Sequence, residues 1–428
     1  MLFKRKRRPT TLARPNQQSA RRSSDGTTHG SRKHRPDYML LIICLALLSI
    51  GLIVVYSISP GLAAVRNVSE NYFTGKQIIA IGLGLIAFAI CSVVPVSVWK
   101  KNYKIFAAIA VLAAIGVQAF GSEVNGASRW IQAGGLSFQV AELIKLALII
   151  GLATFLVNKI AKGQIESTSA TLKPLLILMA VIGIVVAKFE SDLGSTGVML
   201  AIIMVMAFAA GLPIKRIALV MGVVVIGTIL AISTSSYRRD RVETFLNPAA
   251  DCQASGYQAC QALIAVGSGG IFGLGLGKSV QAFGYLPEAA NDSVFAVLAE
   301  KFGFVGVSLV ITLYLWLFTR FKKIIDRTSD GFSRLIVVGV FTWISVQAMI
   351  NIGAMIGLVP LKGITLPLIS YGGTSLIFVM AALGVVFQIS RYTSFAPIRN
   401  VNRGESGNED LAGRRGQRRT YYATAGSR

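Results

Sequence analysis

Charged side chains are scarce in this chain: only 14% of its 428 residues are Asp, Glu, Lys or Arg. That is too few to clothe an ordinary soluble domain. Acids are scarcer still, 19 against 43 basic residues, which leaves a formal net charge of +24. Histidine occurs twice, at His29 and His34 near the amino end, so no His/Cys metal cluster can be built. Cysteine occurs four times, which excludes a disulfide-dense scaffold. A cleavable signal peptide is not expected, because the first apolar run starts too late and is too long.

Apolar sequence is what abounds, with 53% hydrophobic residues and a mean hydropathy of +0.62. Ten runs are long enough to cross a bilayer: about 38–58, 76–98, 105–121, 138–158, 172–188, 193–213, 217–233, 293–319, 335–357 and 370–390. The expected fold is an all-α polytopic membrane protein of about ten transmembrane helices. A large outer loop, about 234–292, separates spans seven and eight. The glycine-rich run Ala262–Gly277 belongs to that loop. Counting it as a span would put the basic 320–334 connection on the wrong side of the positive-inside rule.

Charge sets the orientation. Lys4–Arg8, Lys100, Lys101, Lys104, Lys159, Lys162, Lys215, Arg216, Arg320–Lys323 and the arginines of the carboxyl tail fall on one side, read as cytoplasmic. Three segments follow: a basic tail over 1–37, a membrane domain over 38–391 and a second basic tail over 392–428. Their low apolar content predicts disordered tails. Their charge reads as topogenic and lipid-directed rather than as a nucleic-acid footprint.

Against this background a few polar residues stand out. Glu288 and Asp292 lie where the outer loop meets the eighth apolar run, in Tyr285-Leu-Pro-Glu-Ala-Ala-Asn-Asp292. Asp292 is either a helix cap, since Asn291, Asp292 and Ser293 are all capping residues, or a catalytic base. Glu142 and Lys145, three apart in the fourth span, share a helix face and can pair. Such a pair inside a membrane is either a structural tie or the lining of a polar site. Glu300 and Lys301 raise the same question in the eighth span. Arg129, Asp192, Arg238, Arg239, Arg241 and Lys362 fall on the outer side, where cations run against the topogenic bias. The cations among them either hold an anionic group or pair with neighbours such as Asp240 and Glu243 or with lipid headgroups. Cys252 and Cys260 share the outer loop, and an oxidising compartment would allow a bridge between them. Gly273-Leu-Gly-Leu-Gly-Lys-Ser279 resembles a phosphate-binding P-loop, but Phe272 stands where the first glycine is required and no βαβ pattern surrounds it.

Several motifs in order resemble the SEDS family of shape, elongation, division and sporulation proteins. They are Gly126-Ala-Ser-Arg129-Trp130-Ile, Ala141-Glu142-Leu-Ile-Lys145, Ser191-Asp192-Leu-Gly194-Ser-Thr196, Gly256-Tyr-Gln258, Tyr285-Leu-Pro-Glu-Ala289 and the stretch Pro360–Ser375. The resemblance spans about Tyr38 to Arg391, and the Leu286–Ala289 and Lys362–Pro367 wording is closest to the division branch. It implies a peptidoglycan glycosyltransferase that polymerises lipid II at the outer face of a bacterial cytoplasmic membrane during septal wall synthesis. Both termini would be cytoplasmic. The implied partners are a class B penicillin-binding protein and other division proteins. Asp292 would be the catalytic base or the ligand of a divalent cation, Mg or Mn. Arg129 and Lys362 would meet the diphosphate of the substrate, with Glu142, Lys145, Asp192 and Glu288 also lining its site. Two departures fall beside these residues: Ala290-Asn291 replaces the family's His-Thr before the aspartate, and Val140-Ala141 replaces its Pro-Ser before Glu142. A lipid II flippase and a non-catalytic division scaffold are the alternative readings.

Overall fold

The computed structural model describes residues 35–120, 122–124, 127–133, 136–189, 192–233, 236–247, 252–253 and 256–392. The expected disorder of both tails concerns residues outside that set. Thirteen α-helices are described: α1 Tyr38–Arg66, α2 Tyr72–Val93, α3 Val96–Lys101, α4 Tyr103–Phe120, α5 Val140–Ala161, α6 Lys173–Ile182, α7 Leu193–Ala209, α8 Ile214–Ser233, α9 Ser236–Leu246, α10 Tyr257–Ser268, α11 Val294–Arg327, α12 Gly331–Met355 and α13 Gly373–Ser390. Wider π-helical turns, Thr168–Leu172 and Gly183–Phe189, extend α6 at both ends. Among the described residues, seven helical segments are long and apolar enough to cross a membrane: α1, α2, α5, Thr168–Val186, α11, α12 and α13. The three other expected spans coincide with α4, α7 and α8.

The helical expectation holds, with one small addition. Between α4 and α5 the chain forms a three-stranded antiparallel sheet, β1 Ser122–Val124, β2 Ala127–Ala133 and β3 Leu136–Gln139. Trp130 pairs with Gln139 and Ala133 with Leu136.

Helices packed in lipid gain little from hydrophobic burial and are held by close packing and internal polar contacts. α13 is the most deeply buried segment and lies along α2, with Phe88 and Phe387 at 5.3 Å between ring centroids. α12 is nearly as buried and lies against α5, α7 and α11. It is the central post on which the polar contacts converge.

α11 is two helices in one. At 34 residues an unbroken helix would be about 50 Å long, well beyond the ~30 Å hydrocarbon core. Gly303 interrupts it, with φ 64° and ψ −161°, a conformation that only glycine adopts without strain. The freed backbone groups are satisfied by the glycine-rich run after α10. Leu274 and Gly275 donate to the carbonyls of Glu300 and Lys301, at 2.9 and 3.0 Å. Phe304 and Val305 donate to Gly270 and Ile271, at 2.9 and 3.1 Å. A break at membrane depth is tolerable only with such partners.

The side chains at the break finish the joint. Glu300, fully buried, accepts the amides of Val280 and Gln281 at 2.8 and 2.9 Å and the hydroxyl of Ser279. Lys301 donates to the Leu276 carbonyl at 2.8 Å and lies 4.9 Å over the Phe283 ring. The Glu300–Lys301 question is therefore answered in structural terms: each charge seats the glycine-rich loop. In the run that resembles a P-loop, the amides of Leu274 and Gly275 are bonded to a broken helix.

Candidate active site

Asp292 lies at the end of the turn that feeds α11. The cap position itself belongs to Ser293, whose hydroxyl donates back to the Pro287 carbonyl at 3.0 Å. The turn is closed by Glu288, whose carbonyl accepts the amides of Asn291 and Ser293, at 3.0 and 3.2 Å. Glu288 holds a left-handed φ of 50°, uncommon outside glycine. Asp292 is thus half-buried one residue ahead of the helix cap.

A second loop, 356–372, lies against it. Tyr371 donates its amide to the Ala290 carbonyl at 2.8 Å. Asn351 of α12 ties both loops together, donating to the carbonyls of Asp292 and Ile364, each at 2.7 Å. Gly363, at φ 64°, passes close: a Cβ placed there would lie 3.6 Å from Asp292 Oδ2. Lys362 is the preceding residue, half-buried, so the structure brings Asp292 and Lys362 to adjoining loop segments.

One helical turn before Asn351, Gln347 organises the buried ion pair. Lys145 Nζ, fully buried, donates to Glu142 Oε1 and to Gln347 Oε1, both at 2.8 Å. Trp343 Nε1 donates to the same amide oxygen at 2.8 Å, and its ring lies 5.0 Å from the ammonium. Gln347 then donates through Nε2 to the Thr365 carbonyl at 3.0 Å, and Thr365 meets Ser375 hydroxyl to hydroxyl at 3.2 Å. Among the described residues Glu142 Oε2 is buried without a hydrogen-bond partner, an orphaned acceptor of the kind that accompanies function. Glu142 and Lys145 are therefore joined through α12 to the loop that carries Lys362.

Asp192 has a different task. It caps α7, accepting the Ser195 amide at 2.9 Å, and is buried at 2% exposure. Gln139 Nε2 donates to its other oxygen at 3.5 Å. Its contribution is to hold the start of α7, where Gly194 lies against Lys362 and Ile364. Glu288 is more open; its Oε1 stands 4.0 Å from Arg66 Nη2 at the end of α1, and Asn291 Nδ2 donates to Oε2. Arg129 lies on β2, and its side chain lies outside the described set, as do those of Arg238 and Arg241. Arg239 is exposed on α9.

Sequence reasoning passed over Gln347, Asn351 and Arg66. The first two are the only side-chain amides of α12 and are four apart, which puts them on one face. That spacing was the available signal. Tyr371, edge-on to Phe73 at 5.6 Å, has its phenol pushed up to about 12, first by burial, then by nearby Tyr72, with Arg66 opposing. It is a neutral hydrogen-bonding group at physiological pH.

Cys252 and Cys260 are joined, with 5.6 Å between Cα atoms, which answers the question left open by their spacing. The bridge pins the start of α10, where Gln258 donates to Ser293 Oγ at 3.2 Å, beside Asp292. A cleft of about 300 Å³ opens next to it, lined by Thr244, Gln258, Leu263, Ala354 and Leu361 among others. Among the described residues no three His, Cys, Asp or Glu side chains group as a metal cage. A hard divalent cation held by one carboxylate and substrate phosphates needs no such cage.

The family model described as cell cycle protein, covering FtsW, RodA and SpoVE, matches residues 38–395. The chain belongs to this family. It is 36% identical over 373 residues to stage V sporulation protein E of Bacillus subtilis, covering 85% of this chain and all of that one. It is 37% identical over 365 residues to the probable peptidoglycan glycosyltransferase FtsW of Thioalkalivibrio sulfidiphilus, covering 84% and 90%. A solved structure described as structural coordination of polymerization and crosslinking by a peptidoglycan synthase complex aligns at TM-score 0.70 and 26% identity, over 83% of this chain and 98% of that one. The Thermus thermophilus rod shape determining protein RodA aligns at TM-score 0.59 and 26% identity, over 83% and 97%.

Proposed function

We propose that this family member is a peptidoglycan glycosyltransferase that polymerises lipid II during septal wall synthesis. Relatives named as FtsW glycosyltransferases support the activity. The observation that carries the mechanism is the place of Asp292: one residue ahead of the cap position of α11, held by Asn351 through its carbonyl, and set beside Gly363.

The chemistry is one inverting displacement. The donor sugar is α-linked to a polyprenyl diphosphate, and the product is β-1,4-linked. Asp292 takes the proton of the acceptor hydroxyl as its oxygen attacks the donor's anomeric carbon, and the C–O bond to diphosphate breaks with its electron pair leaving on the diphosphate. Lys362, with Arg129, neutralises that departing charge. Glu142 and Lys145 brace the loop that carries Lys362 through Gln347. A divalent cation, Mg or Mn, held by Asp292 would supply further positive charge at the leaving group.

The outer-face assignment is supported by the Cys252–Cys260 bridge, since disulfides persist in oxidising compartments. With it, both tails lie in the cytoplasm of a bacterium, and the protein works at the septum. The likeness to a peptidoglycan synthase complex supports a partner that crosslinks the strands, a class B penicillin-binding protein, alongside other division proteins.

The test is lipid II polymerisation by purified wild type and Asp292→Asn, with and without the partner and Mg. Strands from wild type and none from the variant are expected. Equal synthesis by both would remove Asp292 from catalysis. Headgroup translocation without strands would identify a flippase, and normal division by a cell carrying only the variant would identify a scaffold.

A further inference from the structure

At the end of the bundle opposite Asp292 there is a second polar cavity, about 240 Å³ in volume. It lies between the start of α1, the end of α13 and the last turns of α11. Among the described residues, four cations line it, Arg35, Arg320, Lys323 and Arg327, against a single carboxylate, Asp37. Arg320, Lys323 and Arg327 are spaced three and four apart, on one face of α11. Asp37 is consumed by Arg320, whose Nε and Nη2 both reach it at 2.7–3.2 Å. The Asp37 amide is anchored in turn on Ser390 Oγ at 3.0 Å. Three positive charges therefore remain in the lining, and Asp326, exposed on α11, lies outside it.

We propose that this cavity binds the phosphate headgroup of an anionic phospholipid. The apolar rim decides for a lipid over a bare anion. Tyr38 and Met39 line the same cavity and are 56% and 43% exposed on the flank of α1. An acyl chain descending from a headgroup held by Lys323 and Arg327 would run over them. The inference is independent of the reaction at Asp292, which lies at the far end of the bundle.

The experiment uses the full chain in a neutral detergent. Binding of a short-chain phosphatidylglycerol is measured by native mass spectrometry, with phosphatidylcholine of the same chain length and inorganic phosphate as comparators. In the double variant Lys323→Gln/Arg327→Gln, Arg320 and its Asp37 contact are kept. Each cation near a charged lipid contributes a factor of about five, so the double variant should bind about thirty-fold more weakly. Lys215→Gln, an exposed cation elsewhere, should bind as wild type does. If the double variant does not fold, Lys323→Gln alone, at an exposed site, should still show the five-fold loss. Equal phosphatidylglycerol affinity in wild type and variant overturns the site. Phosphatidylcholine binding as tightly as phosphatidylglycerol, or inorganic phosphate displacing the lipid at equal concentration, overturns the lipid assignment.

Discussion

Gly363 shows how narrow the tolerances are around Asp292. Its left-handed backbone and the 3.6 Å separation from the carboxylate mean that Gly363→Ala strains the loop and adds a methyl beside Asp292. A loss of about 1–2 kcal/mol is expected in thermal unfolding, with a larger proportional loss of strand synthesis. Glu142→Ala leaves Lys145 charged and buried, and should cost about 3–5 kcal/mol. Replacing both by Gln and Met should cost less than the sum of the single changes, which a double-mutant cycle reads directly. Residues of this kind were legible in the sequence because a charge in an apolar run has few explanations. Gln347 and Asn351 were not, since an uncharged amide in a membrane helix draws no notice until its partners are known. Asp192 was legible as important but not as a cap, because its role depends on where α7 begins.

The elements carry a different lesson. Spans were readable because bilayer thickness fixes their length, yet the break in α11 was not. Gly303 sits inside a continuous apolar run that reads as one span, and only the pairing of 270–275 with 300–305 reveals the break. The three-stranded sheet was hidden as well, its strands being only three to seven residues long. The joint at the break can be tested by hydrogen exchange. Glu300→Ala removes the acceptor of two amides and a hydroxyl, so protection over 276–283 should fall while α12 and α13 keep theirs. Reduction of the Cys252–Cys260 bridge closes a smaller question. A loop of this length stabilises by roughly 2–3 kcal/mol in the chain-entropy picture. Faster exchange at the start of α10 is the expected result, and unchanged exchange would show the bridge to be idle.

For the whole molecule, the orientation proposed from charge and from the disulfide is open to direct test. Lys278 and Lys162 are both exposed, one in the glycine-rich loop and one in the loop after α5. Lys278→Cys should react with a membrane-impermeant thiol reagent in intact cells, and Lys162→Cys should not. The free native cysteines, Cys44 and Cys91, are buried and should stay silent. The reverse pattern would invert the topology and with it the outer-face reaction.

The tie made by Gln347 and Asn351 has a mechanical side. The two amides, one turn apart on α12, grip the buried ammonium, the Thr365–Ile364 strand of loop and the carbonyl of Asp292. Direct hydrogen bonds join the membrane helix to both loops. A pull or tilt applied to α12 should therefore reach Asp292 and the Lys362 loop together, and a neighbour that leans on this helix is expected to change the geometry of both without touching either.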